Sequence, residues 1–282
     1  MSNVGSPPRI SIVTPSYNQG QYLAETIESI LNQDYPNLEL IIIDGGSTDD
    51  SVEVIKRYES HLAYWVSEKD SGQSEAINKG LRRATGDLFN WINSDDILFP
   101  GALWRMAEAH ARHPEAELLI GWGARSDAEG SITRVTVPPR RCSMSPLNWS
   151  FFIYQQAVFI ATAAIKRVGG MREDLPLIMD TDLYYRLFRD GCRYVRVNAL
   201  IGMIREHEEA KGVAQWDLYD PETVEVLHEY GIHPARMTMG RAKTKICRVL
   251  DGSYLQSFAL LRKWRGRRPW DTGELSGAPR RT

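Results

Sequence analysis

Along the first hundred positions, short β-branched apolar runs alternate with segments whose apolar residues recur at helical spacing. Ile10 to Val13 is a strand-like run stopped by Thr14-Pro15-Ser16-Tyr17-Asn18-Gln19-Gly20, and Leu23, Ile27, Ile30 and Leu31 then mark a helix ending before Tyr35-Pro36. Leu38 to Ile43 is a second run, opening into Asp44-Gly45-Gly46-Ser47-Thr48-Asp49-Asp50, with a helix through Val52, Ile55 and Tyr58 after it. Leu62 to Val66 closes at Glu68-Lys69-Asp70-Ser71-Gly72, a helix runs from Gln73 to Ala84, and Leu88 to Ile92 completes the series. Strand and helix alternating with short links predict a parallel sheet with helices on both faces. Each strand ends in a loop rich in Gly, Asp or Ser, so these loops gather along one edge with Pro15, Tyr17, Asp44, Ser47, Asp70, Asp95 and Asp96. Open α/β sheets bind ligands at that edge, and the pattern predicts a nucleotide-binding cleft.

Past a helix from Pro100 to His113, the pattern predicts strands at Leu118 to Trp122 and Ile132 to Val137, separated by a turn at Asp127 to Gly130. A loop starts at Pro138-Pro139-Arg140-Arg141; Tyr154 to Ile160 is mostly apolar after its Gln155-Gln156 pair, and a short helix from Thr162 ends at Gly169-Gly170. Asp180-Thr181-Asp182 precedes the stripe Leu183, Leu187 and Phe188, which places Asp180 at or next to a helix N-cap. Tyr194 to Ile204 gives one or two strands before Arg205-Glu206-His207. A helix is expected over Pro221 to Tyr230, an interrupted amphipathic pattern over Ala242 to Trp264, and disorder from Arg265 on.

Composition changes this picture in two places. The overall net charge of -2 gives no general affinity for nucleic acid, but its distribution is uneven: 12 Lys+Arg stand against 3 Asp+Glu from Arg236 onwards, and 22 against 33 before it. An acidic body with a basic tail suggests an anionic partner for the tail, such as a membrane surface. Cys142, Cys192 and Cys247 have no metal or redox spacing and read as reduced thiols of a cytoplasmic protein. Met1 to Arg9 lacks the layout of a secretory signal, and no apolar run approaches the ~20 residues needed to span a bilayer. The expectation is a protein that is cytoplasmic or peripheral on the inner membrane face.

The chemistry concentrates in Trp91-Ile92-Asn93-Ser94-Asp95-Asp96. An apolar strand ending in two carboxylates must release them from the core, and a divalent cation carrying substrate phosphates is the partner that one or two carboxylates serve best. The competing reading is an Asp pair capping the next helix.

Four segments in order, "IVTPSYNQGQYLAETIESILNQ", "IIIDGGSTDDS", "DSGQSEAINKG…GDLFNWINSDD" and "MDTDLYYRLF", resemble family 2 glycosyltransferases of the GT-A fold. The resemblance implies residues 1–212 as a GT-A domain, with a nucleotide-binding half (1–98) and an acceptor-binding half (99–212), followed by a helical, basic extension (213–282). It implies an inverting, metal-dependent enzyme of hexosyltransferase type, which moves a sugar from a nucleoside diphosphate donor to a hydroxyl of a saccharide or lipid-linked acceptor. Pro15 and Tyr17 would line the base pocket, Asp44 would bind the base or ribose, and Asp70 would help define the nucleotide pocket. Asp95 and Asp96 match the end of the family's Asp-x-Asp motif and would hold Mn2+ or Mg2+, one of them alternatively holding the ribose. Asn93 stands where the motif's first Asp often is.

Asp180 matches the catalytic base, with Asp182 as competitor, and a helix N-terminus would keep Asp180 ionised. His207 and Lys211 match positions near metal and pyrophosphate; Gln155 and Gln156 are candidates for sugar hydroxyls, and Trp122 and Trp149 for stacking on a sugar ring. The processive signature Gln-x-x-Arg-Trp is present only as the fragment Arg262-Lys263-Trp264, which points to a non-processive enzyme. Two other classes stay open at this point: a sugar-nucleotide pyrophosphorylase, and a nucleotide-sugar binding protein with a decayed site. The retention of Asp95, Asp96 and Asp180 together opposes the second.

Overall fold

A single sheet of nine strands carries the chain in a computed structural model that describes residues 6–139, 153–211, 216–232 and 234–270. Its first half is built from β1 (Ile10–Ser16), α1 (Gly20–Leu31), β2 (Leu38–Asp44), α2 (Ser51–Arg57), β3 (Tyr64–Ser67), α3 (Gln73–Arg83) and β4 (Leu88–Trp91). The second half contains β5 (Ile97–Leu98), α4 (Ala102–Arg112), β6 (Leu118–Ser126), β7 (Ile132–Thr136), β8 (Val158–Ala161), α5 (Thr162–Arg167), α6 (Met179–Arg189) and β9 (Tyr194–Arg205). After these come α7 (Trp216–Glu229), α8 (Pro234–Leu250) and α9 (Ser253–Trp264). Strand order is β3-β2-β1-β4-β8-β6-β9-β5, with β7 paired to β6.

The four strands of the first half are all parallel, as the alternating pattern requires. From β4 outward the sheet is mixed, since β8 runs antiparallel to both β4 and β6 while β6 and β9 are parallel. Apolar residues that alternate along a strand sort onto opposite faces. Ile10, Ile12, Leu40 and Ile42 pack with α1, α2 and α4, whereas Val13, Ile41 and Ile43 pack with α3, α5 and α6. Both faces are therefore covered, and the strands read as unbroken apolar runs for that reason.

Two strands are longer than their apolar runs. β1 continues through Pro15 because backbone polar groups alternate sides along a strand. Val13 O accepts from Ile92 N and Ser16 O from Gly45 N, so position 15 turns its nitrogen toward β4, beyond the last β1–β4 pair at Val13 and Trp91. A missing N–H costs nothing there. β6 continues past the expected end at Trp122 to Ser126, and its glycines Gly121 and Gly123 serve close packing. A Cβ at Gly121 would lie 2.2 Å from Ile201 of β9, and one at Gly123 would lie 2.0 Å from the Tyr154 ring.

The expected disorder from Arg265 is corrected as far as Trp270. Gly266 N donates to Ile132 O (3.0 Å), Ile132 N donates to Arg267 O (3.0 Å), and Trp270 Nε1 donates to Leu98 O (3.2 Å). Trp264 is buried with Ile97, Phe99 and Met203, so α9 is anchored on the sheet rather than trailing from it. Arg140, Arg141, Cys142, Trp149 and the chain past Trp270 lie outside the described residues. Among the described residues no helix is long and apolar enough to cross a membrane.

Candidate active site

The chain leaves β1 for β2 and β3 on one side, then returns to β4 on the other, which makes the β1–β4 junction a topological switch point. Pairing there stops at Val13 and Trp91, and the carboxyl edge of such a junction is where open α/β sheets have their ligand crevice. At this edge Pro15 is buried, and Tyr17, just past β1, has 61% of its surface exposed.

The β1–α1 and β2–α2 loops latch onto each other. Asn18 N donates to Ser47 Oγ (2.8 Å), Thr48 N donates to Asn18 Oδ1 (2.8 Å), and Gly20 N donates to Asp49 Oδ2 (2.9 Å). Asp44, fully buried, shapes the second loop: its Oδ2 accepts from Gly46 N, Ser47 N and Ser67 Oγ, and its Oδ1 from Ser47 Oγ. A direct bond from Asp44 to a base or ribose therefore meets a covered carboxylate already holding its own loop. Asp70 backs the same loop, its oxygens 2.9 and 3.0 Å from where a Cβ on Gly45 would sit. Burial raises its carboxyl above the ordinary range.

Asn93 to Asp96 forms a turn closed by Asp96 N donating to Asn93 O at 3.0 Å, which aims Asp95 outward and Asp96 inward. Asp96 is 2% exposed: its Oδ1 accepts from Arg205 N (3.1 Å), and its Oδ2 accepts from Asn93 Nδ2 (2.9 Å) and Gln156 Nε2. Burial, and then the neighbouring Asp95, push its carboxyl well above the usual value. The amide nitrogen of Gln155 is engaged in a similar way, donating to Asn90 Oδ1 and Trp91 O, while Oε1 of both Gln155 and Gln156 is buried without a partner. Both glutamines are buried, and they brace β4 and the turn.

Asp95 Oδ2 lies 3.0 Å from His207 Nε2, with its side chain 17% exposed. Three other groups hold the pair. Arg205 Nε donates to Asp95 O (3.0 Å) while its guanidinium also pairs with Glu25 (2.6 Å); Thr26 Oγ1 lies 2.9 and 2.8 Å from the carbonyls of Ser94 and Asp96; and the Tyr22 ring lies 4.6 Å from the His207 ring. Among the described residues no cluster of three or more His, Cys, Asp or Glu could hold a metal. A carboxylate and an imidazole 3.0 Å apart do match two adjacent positions of an octahedral cation with bonds of about 2.1 Å, the remaining positions falling to phosphate oxygens and water. The donor set fits a phosphate-borne cation and not a closed protein cage.

Asp180 is the second residue of α6 and half-buried. Its Oδ1 accepts from Thr181 N (2.6 Å) and Thr181 Oγ1 (3.3 Å). Burial raises its carboxyl, with Glu222 adding to the rise, so desolvation outweighs the helix terminus expected to keep it ionised. Asp182 is fully buried and saturated by Arg186 Nε (2.8 Å), Arg186 Nη2 (2.6 Å) and the Tyr230 hydroxyl, which makes it an anchor for α6. Glu222 of α7 accepts from Leu177 N (3.1 Å) and Ile178 N (3.2 Å), just ahead of the α6 first turn. Lys211 is half-buried, and burial lowers its pKa.

The start of α3 joins the two walls. Gln73 Nε2 donates to Asn93 Oδ1 at 2.6 Å, and Ser74 Oγ lies 2.8 Å from Met179 Sδ, next to Asp180. Sequence reasoning missed Thr26, Arg205, Glu222 and Tyr230. Only Thr26 gave a signal, as a hydroxyl on the apolar stripe of Leu23, Ile27 and Ile30.

The model of the family described as glycosyl transferase family 2 matches residues 11–175, more than half the chain, and stops short of Asp180. A glycosyltransferase of Rickettsia typhi is 26% identical over 201 residues, covering 69% of this chain and 63% of the relative. This chain thus spans less than two thirds of that relative's length. The Staphylococcus aureus TarS 1-349 structure with UDP-GlcNAc aligns at a TM-score of 0.64 and 17% identity, covering 85% of this chain and 72% of TarS 1-349. The Pyrobaculum calidifontis mannosyltransferase PcManGT, in complex with GDP-Man and Mn2+, aligns at 0.59 and 18% identity, covering 91% and 75% respectively. The likeness to these transferases is one of fold, of the GT-A type, while the match over 11–175 carries the assignment: the chain belongs to glycosyl transferase family 2.

Proposed function

We propose that this protein is a metal-dependent, inverting, non-processive glycosyltransferase. It moves a sugar from a nucleoside diphosphate donor to a hydroxyl of a saccharide or lipid-linked acceptor, in the synthesis of cell-surface polysaccharide or glycoconjugate. One observation carries the reading: Asp95 Oδ2 lies 3.0 Å from His207 Nε2 in the turn after β4, and α3 ties that turn to the helix bearing Asp180. The solved relatives bind a nucleotide sugar in the same fold, one of them with Mn2+.

The base and ribose lie against Tyr17 and the loop backbone that Asp44 and Ser47 fix, with Asp70 behind it. Asp95 and His207 hold Mn2+ or Mg2+, which when bound neutralises charge on the departing diphosphate. Asp96 takes no part in that coordination, because its lone pairs are committed to the turn. Asp180 accepts the proton of the acceptor hydroxyl as the oxygen attacks the anomeric carbon and the bond to the diphosphate breaks. Its raised pKa suits a base, since a more basic carboxylate takes a proton more readily once ionised. Lys211 stands close after His207 as a phosphate contact.

A panel of nucleotide sugars, scored by thermal shift with and without Mn2+, tests this. Stabilisation by at least one donor that needs Mn2+, is lost in Asp95→Ala and survives in Asp180→Asn is the expected result. Donor binding indifferent to Mn2+ and to Asp95→Ala would reject the assigned roles.

A further inference from the structure

Helices α8 and α9 meet at an elbow made by Asp251 and Gly252. Their inner side is packed: Ser253, Ser257 and Trp264 are buried, Ser257 Oγ accepts from Val137 N (3.1 Å), and Arg248 Nη2 donates to it (2.9 Å). The outer side carries large apolar residues that are exposed. Leu250 and Leu255, on either side of the elbow, are 79% and 72% exposed, and Ile246, Val249 and Phe258 are exposed with them. On a monomer a contiguous patch of this kind marks an interaction surface.

Cations surround the elbow. At helical spacing, Lys243 extends the line of Ile246 and Leu250 on α8, and Arg262 extends that of Leu255 and Phe258 on α9. Apolar groups thus occupy the elbow, with positive charge one turn outward on both arms. Lys245, Arg265, Arg267 and Arg268 add exposed charge. From 239 to 270 the single acidic residue is Asp251, and its Oδ1 already accepts from Ser253 N and Ser253 Oγ. A second copy of the chain docked through this face about a two-fold axis would set cations against cations. An apolar tip with a cationic collar instead complements a bilayer, which offers hydrocarbon behind a layer of phosphates.

We propose that the α8–α9 elbow is a docking surface for an anionic lipid bilayer. Leu250, Leu255 and Phe258 enter the headgroup–acyl boundary, and the flanking Lys and Arg meet lipid phosphates. The surface is part of the body that bears the candidate site: Trp270, past the end of α9, donates to Leu98, two residues beyond Asp96. The chain from α8 to Trp270 therefore acts as a folded wedge anchored to the sheet. The inference stands independently of sugar transfer.

Vesicle co-sedimentation of the full chain tests it, using phosphatidylcholine vesicles with and without phosphatidylglycerol. The expected result is retention on the phosphatidylglycerol vesicles, weakened about tenfold or more in Leu250→Glu/Leu255→Glu, with an unchanged melting temperature because both side chains face solvent. Lys243→Glu/Arg262→Glu should reduce binding to the anionic vesicles while leaving the apolar tip intact. Equal binding of wild type and Leu250→Glu/Leu255→Glu would overturn the proposal. So would an absence of vesicle binding by wild type, above all if it ran as a dimer in size exclusion that the same variant converted to monomer.

Discussion

The two walls of the crevice are secured by different means. The Asn93–Asp96 turn is gripped from within the sheet, by Thr26 of α1, Arg205 of β9 and Gln156 just before β8. Asp180 rides on a helix whose first turn is steadied from outside the sheet, through Glu222 and Tyr230 near the C-terminus. The family match ends before that helix begins. The comparison teaches that the Asn93–Asp96 turn belongs to the sheet core, whereas the position of Asp180 depends on α7 packing back onto α6. Damage to each wall should therefore leave a different kinetic signature.

The largest expected effect separates the walls outright. Asp180→Asn should lower transfer by about 10²- to 10⁴-fold, the usual worth of a general base, with donor affinity nearly unchanged by calorimetry. Full activity in that variant would remove the base from this wall. Next in size is Asp182→Ala, which leaves Arg186 without its carboxylate, held by the carbonyls of Val168 and Gly170, and Tyr230 without its acceptor; loss of one partner from a buried pair costs about 3–5 kcal/mol. Chemical denaturation would measure that loss, and a cost below about 1 kcal/mol would show that α6 is anchored elsewhere.

Two milder substitutions sharpen the contrast. Thr26→Val removes a buried hydroxyl and should cost about 1–2 kcal/mol, weakening donor binding more than kcat. Tyr230→Phe should do the reverse, lowering kcat while the donor Kd holds. The same response from both variants would merge the two walls into one unit.

The smallest effect concerns pH. Asp180 has a folded pKa above its unfolded one because burial disfavours the charge, so ionisation costs stability. That cost is fully present above the folded pKa and disappears as pH falls to the unfolded value. Asp180→Asn should therefore raise the melting temperature slightly at neutral pH, with the gain shrinking on acidification. The acid limb of kcat should lie above the ordinary Asp range for the same reason. A melting temperature for Asp180→Asn that tracks wild type at every pH would contradict the burial.

Much of the carboxyl edge of β1 to β4 was legible in the sequence because a strand end is written locally. Apolar runs stop at polar residues, and the loops at Pro15, Asp44, Asp70 and Asp95 follow from that punctuation. What each carboxylate does was not legible. Asp95 and Asp96 are neighbours with the same side chain, yet a turn sends one toward His207 and the other toward Arg205 N, Asn93 and Gln156. Asp180 and Asp182 share one helical turn, and the partners supplied by Arg186 and Tyr230 tell them apart.

The sequence by itself determined the order of strands and helices, the edge to which the acidic loops come and the basic character of the C-terminal region. Those depend on hydrophobic period and composition, which are properties of short stretches. Only the tertiary structure decided which carboxylates stay open, what steadies Asp180, and that the basic region folds onto β7 and presents an apolar elbow. Those depend on desolvation and on partners 44 to 180 residues away in the chain, such as Glu222 for Ile178 and Arg205 for Glu25, which no local pattern encodes.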